Sequence, residues 1–218
     1  MNKGFSDSNV KTSESINTQN LNSEELMQSL DASASLLTAD DVEYLEKMKQ
    51  CRIMRDKYYA PKEFIFKVMG IPTISIGDIH LIQAQAKQGK STLVTILVAV
   101  CRCGQLGPVE YALDHPSKVI VFDTEQFEGD SHSQLMMMHE LGEDDNGTEI
   151  IMFNLRKLGF DERKEFIKQA IMRERPTFVI IDGIRDLIPD INDQVGCPML
   201  VQELMQFASE VDCAILGV

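Results

Sequence analysis

The chain has 218 residues, 44% of them hydrophobic, and a net charge of −13 at neutral pH. That length and composition suit one core-forming domain with appendages, and no apolar run approaches the roughly 20 residues that span a bilayer. The acidic balance repels nucleic acid over long range and disfavours an acidic partner or a membrane surface, while leaving open a local basic strip or a ring pore. Cys51, Cys101, Cys103, Cys197 and Cys213 form no C-x-x-C pair, so they read as free structural thiols in a reducing, cytoplasmic setting rather than as a zinc site. Met1 to Asn22 has no apolar segment of the kind a secretory signal needs.

That N-terminal stretch is rich in Ser, Asn, Thr and Lys, too polar to offset the entropy of ordering, and residues 1–37 are expected to be a disordered tail. From Thr38 to Tyr58 the spacing of Val42, Leu45, Met48 and Ile53 predicts a helix, capped by Thr38 or Asp40. It belongs to an arm over 38–63, expected to pack on the domain or on a neighbouring subunit. Phe64 to Val68 and Thr73 to Ile76 are predicted strands around a turn at Met69–Pro72, and Gly77–Asp78 turns the chain into a buried strand at Ile79–Gln83. Helices are then predicted at Thr92–Cys103, stopped by Gly104; at Ser131–Leu141; at Asp161–Arg175, with Asp161 as cap; and at Pro198–Glu210. Strands alternate with them at Lys118–Phe122, Glu149–Leu155, Phe178–Ile181 and Cys213–Val218. Continuous apolar strands alternating with helices indicate an α/β fold, a parallel sheet covered on both faces.

Three segments carry chemistry. Ala84-Gln85-Ala86-Lys87-Gln88-Gly89-Lys90-Ser91-Thr92 lies between a strand and a helix, the setting of a Walker A phosphate loop. Free N–H groups at the helix start can bind phosphate oxygens. Gly89 permits close approach, Lys90 reaches the outer phosphates, and Ser91 offers a hydroxyl to Mg²⁺. Ala84 stands where the first glycine of the motif is usual. Pro176-Thr177-Phe178-Val179-Ile180-Ile181-Asp182 is four apolar strand residues ending in Asp, a Walker B strand whose carboxylate would hold Mg²⁺ through a bound water. In Val121-Phe122-Asp123-Thr124-Glu125-Gln126, Glu125 follows a core strand at the same sheet edge and can deprotonate the attacking water, with Asp123 as the competing candidate.

Other residues point less sharply. His80, His115, His132 and His139 lack metal-site spacing. Met136-Met137-Met138 reads as core packing. Arg185 and Asp186 either line the phosphate edge or form a surface ion pair. Gly142 to Gly147 reads as a solvated turn.

The order Walker A, strand-D-T-E-Q, strand-D resembles the RecA-like ATPases, most closely the RepA/DnaB-type branch grouped as AAA domains of mobile genetic elements. The lead-in from Phe66-Lys67-Val68-Met69-Gly70-Ile71-Pro72 to Gly77-Asp78-Ile79-His80-Leu81-Ile82 is similar to that branch too, and the likeness covers residues 64–218. It implies a core strand order 3-2-4-5-1, with Cys213–Val218 between the Walker A and Walker B strands. It also implies Glu125 as the general base, and an ATP- and Mg²⁺-dependent motor that forms a ring or hexamer and acts on single-stranded DNA. The branch continues past its central strand with a sensor residue, a DNA-facing loop and an arginine finger, so residues 64–218 are expected to be an ATPase core lacking its C-terminal part. The rival readings are a regulatory or scaffold module of the same fold without helicase activity and, less well matched, a small-molecule kinase.

Overall fold

A computed structural model describes residues 38–85, 88–143, 146–188 and 196–218. The expected tail over 1–37 lies outside the described residues. The chain divides into two compact units between Tyr59 and Ala60. In the first, helix α1 (Ala39–Cys51) begins at Thr38. The Thr38 hydroxyl accepts from the Asp41 N–H at 3.2 Å, and the Asp41 carboxylate accepts from the Thr38 N–H at 2.9 Å. This reciprocal cap makes Thr38, not Asp40, the start. The helix ends at Cys51 rather than Tyr58.

The second unit contains two sheets. Strands β1 (Phe64–Val68), β2 (Ile71–Ser75), β4 (Gln105–Leu106) and β5 (Val109–Tyr111) form an antiparallel sheet in the order β2-β1-β5-β4. The β1–β2 hairpin is expected from the sequence; β4 and β5, which come after the helix stop at Gly104, are not. The larger sheet is parallel. It contains β3 (Ile79–Leu81), β6 (Lys118–Asp123), β7 (Glu149–Asn154), β8 (Phe178–Asp182) and β9 (Ala214–Gly217), in the order β3-β9-β8-β6-β7. Counted along the chain this is 3-2-4-5-1, the order of a RecA-like P-loop fold, with β9 between β3 and β8 as expected.

Helices α2 (Lys90–Cys103), α3 (Glu128–Leu141), α4 (Phe160–Glu174) and α5 (Gly196–Val211) flank this sheet. Because side chains alternate along a strand, each central strand feeds two cores. Val119, Val121, Phe178 and Ile180 pack with Val94, Leu97 and Val98 of α2, whereas Ile120, Phe122, Val179 and Ile181 pack with Ile167 and Ile171 of α4 and Leu200 and Leu204 of α5. Burial on both faces is why these strands read as unbroken apolar runs rather than as alternation. The Phe66 ring meets Phe178 edge-on at 5.5 Å, joining the small sheet to the first core.

Two local expectations are corrected. Asp161 does not cap α4; Gly159 holds the cap position, and its N–H donates to the Glu162 carboxylate at 2.8 Å. Of the three consecutive methionines only Met138 is core, while Met136 and Met137 are about half exposed, at 47% and 51%.

Candidate functional site: a phosphate-loop cleft at the sheet edge

The first wall of the site is the segment between β3 and α2. The Ile82 N–H donates to the Gly217 carbonyl at 2.9 Å, and the chain then leaves the sheet. Helix α2 opens at Gly89, whose φ of 80° and ψ of 22° lie in the left-handed region that glycine enters without strain. No side chain caps this helix, so its first N–H groups are left for another acceptor. Lys90 is half-buried, and Gln88, Ser91 and Thr92 are exposed. Ala84 and Gln85 lead into the loop; Ala86 and Lys87 lie outside the described residues.

The second wall is a row of polar strand ends. Asp123 is in ladder register with Asn154 of β7 on one side and Asp182 of β8 on the other. Asp123 is 1% exposed and fully engaged. Its Oδ1 accepts from the N–H groups of Glu125 and Gln126, both at 3.0 Å, and its Oδ2 accepts from the Ser131 hydroxyl at 2.6 Å. The Asn154 amide donates to Ser131 Oγ at 2.7 Å and to the Gln126 carbonyl at 3.0 Å. The loop carrying Glu125 is therefore fixed, while the Glu125 side chain stays 53% exposed.

A polar chain runs from this loop to the phosphate-loop helix. The Gln126 amide donates to Gln134 Oε1 at 3.2 Å, and Gln134 Nε2 donates to the Ser91 carbonyl at 3.3 Å.

Asp182 stands in a different condition. Its Oδ2 is buried and has no hydrogen-bond partner among the described residues. Burial pushes its pKa up from 3.8 to about 6; the nearby carboxylates of Asp123 and Glu125 add to this, and Lys90 opposes it. A buried anionic oxygen without a donor calls for a cation.

The backbone after Asp182 is held closely. The Thr124 hydroxyl, 2% exposed as a residue, lies 3.1 Å from the Asp182 and Gly183 carbonyls and 2.9 Å from Asp186 Oδ2. Arg163 donates to the carbonyls of Leu155, Arg156 and Asp186 at 3.1, 3.2 and 3.4 Å, tying the end of β7 to the short 3₁₀ turn Ile184–Leu187.

Together these elements enclose a cleft of about 800 Å³. Lys90, Ser91 and Thr92 line one side; Asp123, Glu125, Gln126, Asp182 and Arg185 line the other. Arg185 Nε stands 3.8 Å from Glu125 Oε1. Of the two roles open to Arg185 and Asp186, Arg185 both lines the cleft and forms an ion pair, and Asp186 belongs to the Thr124 knot. The sequence profile of a family described as an AAA domain matches residues 67–218, which takes in the end of β1, all of β2, the cleft and every strand of the parallel sheet. The chain belongs to this family of AAA-type P-loop ATPase domains. No curated protein matches the chain.

Within the AAA domain, Ser131, Gln134, Asn154 and Arg163 are supporting residues that no sequence motif marks. A signal exists for one of them: Asn154, like Asp123 and Asp182, is the polar residue that ends an apolar strand. Ser131, Gln134 and Arg163 lie on helices and meet the strand ends only once the chain has folded. Among the described residues no helix is long and apolar enough to cross a membrane. Nor does any group of three or more His, Cys, Asp or Glu side chains there suffice to hold a metal ion alone. A phosphate-loop Mg²⁺ needs no such group, because phosphate oxygens and water complete its shell.

Proposed function

We propose that this AAA domain binds and hydrolyses ATP as a RecA-like motor of the RepA/DnaB type, serving replication or mobilisation of a plasmid or transposon, in a ring-forming assembly that handles single-stranded DNA. The observation that carries the ATPase reading is the convergence of Gly89, Lys90 and Ser91 with Glu125 and Asp182 on one cleft. The nucleic-acid part rests on the D-T-E-Q element and the hairpin lead-in alone.

In this reading the uncapped N–H groups of α2 and the Lys90 ammonium hold the triphosphate. Ser91 and, through a bound water, Asp182 would hold Mg²⁺, which when bound would offset the charge of the outer phosphates. The residues fit that ion: exposed Ser91 lines the same cleft as Asp182, whose buried oxygen lacks a donor. Glu125 accepts a proton from water as the water oxygen bonds to the γ-phosphorus. The bond from that phosphorus to the bridging oxygen breaks, its electron pair leaves on ADP, and the proton ends on the released phosphate. Glu125 suits this better than Asp123 because Asp123 is 1% exposed and both its oxygens already accept hydrogen bonds, whereas the Glu125 side chain is open to water.

Glu125→Gln is the test. ATP should bind with wild-type affinity while hydrolysis falls by about 10²-fold or more; wild-type turnover would remove Glu125 as the base. Single-strand binding that weakens steeply with salt supports the motor reading. ATP turnover without any such binding would move the domain to the regulatory reading.

A further inference from the structure

We propose that Arg185 is a second phosphate-binding cation of the cleft, held by Glu125 in the absence of nucleotide and passed to the terminal phosphate when ATP binds. This rests on the ATPase reading above and adds to it a residue that reads the γ-phosphate from within the same chain.

The backbone under Arg185 is rigid. The Ile184 N–H donates to the Val218 carbonyl at 3.2 Å, Leu187 is 1% exposed, and Asp186 is gripped by Thr124 and Arg163. The side chain is free by contrast: it is 70% exposed and stands 3.8 Å from Glu125 Oε1. Its position is therefore set by which anion attracts it, not by packing. Among the described residues that line the cleft, the basic ones are Lys90 and Arg185, set against the acids Asp123, Glu125 and Asp182.

An exposed ion pair at this distance is weak and screened. A terminal phosphate can take the same bidentate fork as a carboxylate but carries a larger charge, so it outcompetes the single carboxylate for the guanidinium. The exchange has two consequences. It gives ATP contacts that ADP, lacking the γ-phosphate, does not have. It also releases Glu125 from its cation at the moment a water molecule needs a base.

The experiment compares wild type, Arg185→Gln, Arg185→Lys and Lys90→Ala by calorimetric titration with ADP and with the non-hydrolysable analogue AMP-PNP, alongside steady-state ATP hydrolysis. Arg185→Gln should lose at least about tenfold in AMP-PNP affinity while ADP affinity changes less than about threefold. Its kcat should fall by more than its affinity does, and Arg185→Lys should recover part of both. Lys90→Ala should weaken both nucleotides. A structural role for Arg185 would move the two nucleotides together, so an unchanged AMP-PNP to ADP preference in Arg185→Gln overturns the proposal while leaving the ATPase reading intact. A wild-type protein that binds neither nucleotide overturns both.

Discussion

Asp123 and Asp182 are neighbours across one step of the same parallel ladder, yet one is saturated and the other is stranded. Asp123 takes three hydrogen bonds from a loop and a helix start. Asp182 keeps a buried oxygen without a donor and a pKa raised to about 6. The difference arises from the turn at the end of each strand. After β6 the chain turns so that the N–H groups of Glu125 and Gln126 curl back onto the carboxylate. After β8 it passes through Gly183 and points its N–H groups away, to the Val218 carbonyl. The same side chain thus serves as the keystone of a loop in one place and as an unmet charge in the other. Motif position alone does not separate the two roles; the count of donors does.

The largest expected effect comes from the residue that makes this geometry possible. Gly183 has φ of 93°, and a Cβ there would lie 2.0 Å from Thr124 Oγ1 and 3.0 Å from Glu125 Cγ. Gly183→Ala should cost at least about 3 kcal/mol, from backbone strain plus displacement of a packed hydroxyl. In a Thr124→Ala background the same change should cost clearly less, since the clashing oxygen is gone and the two sites are coupled. Urea unfolding of the four proteins measures this. A Gly183→Ala protein within about 1 kcal/mol of wild type would mean that the turn after β8 is not fixed.

Next comes the saturated carboxylate itself. Asp123→Ala orphans two N–H groups and leaves the Ser131 hydroxyl only its longer bond to the Phe127 carbonyl at 3.2 Å, and should destabilise by about 2–4 kcal/mol. Asp123→Asn keeps an oxygen for the two N–H groups and should cost about half as much. Equal losses in the two variants would show that the loop does not depend on those donors, and the contrast with Asp182 would lose its basis.

How much of this is legible in the sequence depends on range. The strands β6 and β8 announce themselves as apolar runs because both faces are buried, whereas their order is expected only from the resemblance to the RecA-like ATPases. The strands β4 and β5, two and three residues long, carry too few side chains to show a period. The start of α4 is ambiguous in sequence because Asp161 and Glu162 both suit a first turn, and only the reach of Glu162 back to the Gly159 N–H selects the register. Met136 and Met137 look the same as Met138 in sequence, and helix rotation alone decides which one is buried. At the site, Lys90, Ser91, Glu125 and Asp182 are readable as motif residues. Arg163 is not, and Thr124, although it stands in the D-T-E-Q element, is not marked for its contact, because the Thr124–Asp186 and Arg163–Asp186 contacts exist only after parallel strands have brought their ends level.

The smallest expected effect tests the stranded oxygen directly. Asp182 binds a proton more tightly when folded, with its pKa moved from 3.8 to about 6. Between those values the folded protein holds a proton that the unfolded chain has released. Stability therefore falls as pH rises through this window, and the full cost is present above about pH 6. A displacement of that size corresponds to about 3 kcal/mol at most, and partial solvent contact reduces it toward about 1–2 kcal/mol. Asp182→Asn keeps the shape and removes the charge. It should therefore make the nucleotide-free protein more stable by about 1–2 kcal/mol at about pH 7.5, and by little or nothing near pH 4, where the wild-type carboxyl is already neutral. Adding Mg²⁺ and ATP should reverse the ranking at the higher pH, because on the proposed reading the wild-type carboxylate then has the cation it lacks and the amide cannot replace it. Urea unfolding at the two pH values, with and without Mg²⁺ and ATP, measures all four differences. If the two proteins are equally stable at the higher pH without nucleotide, the Asp182 oxygen is already solvated. A metal role for it would then have to be argued from binding alone.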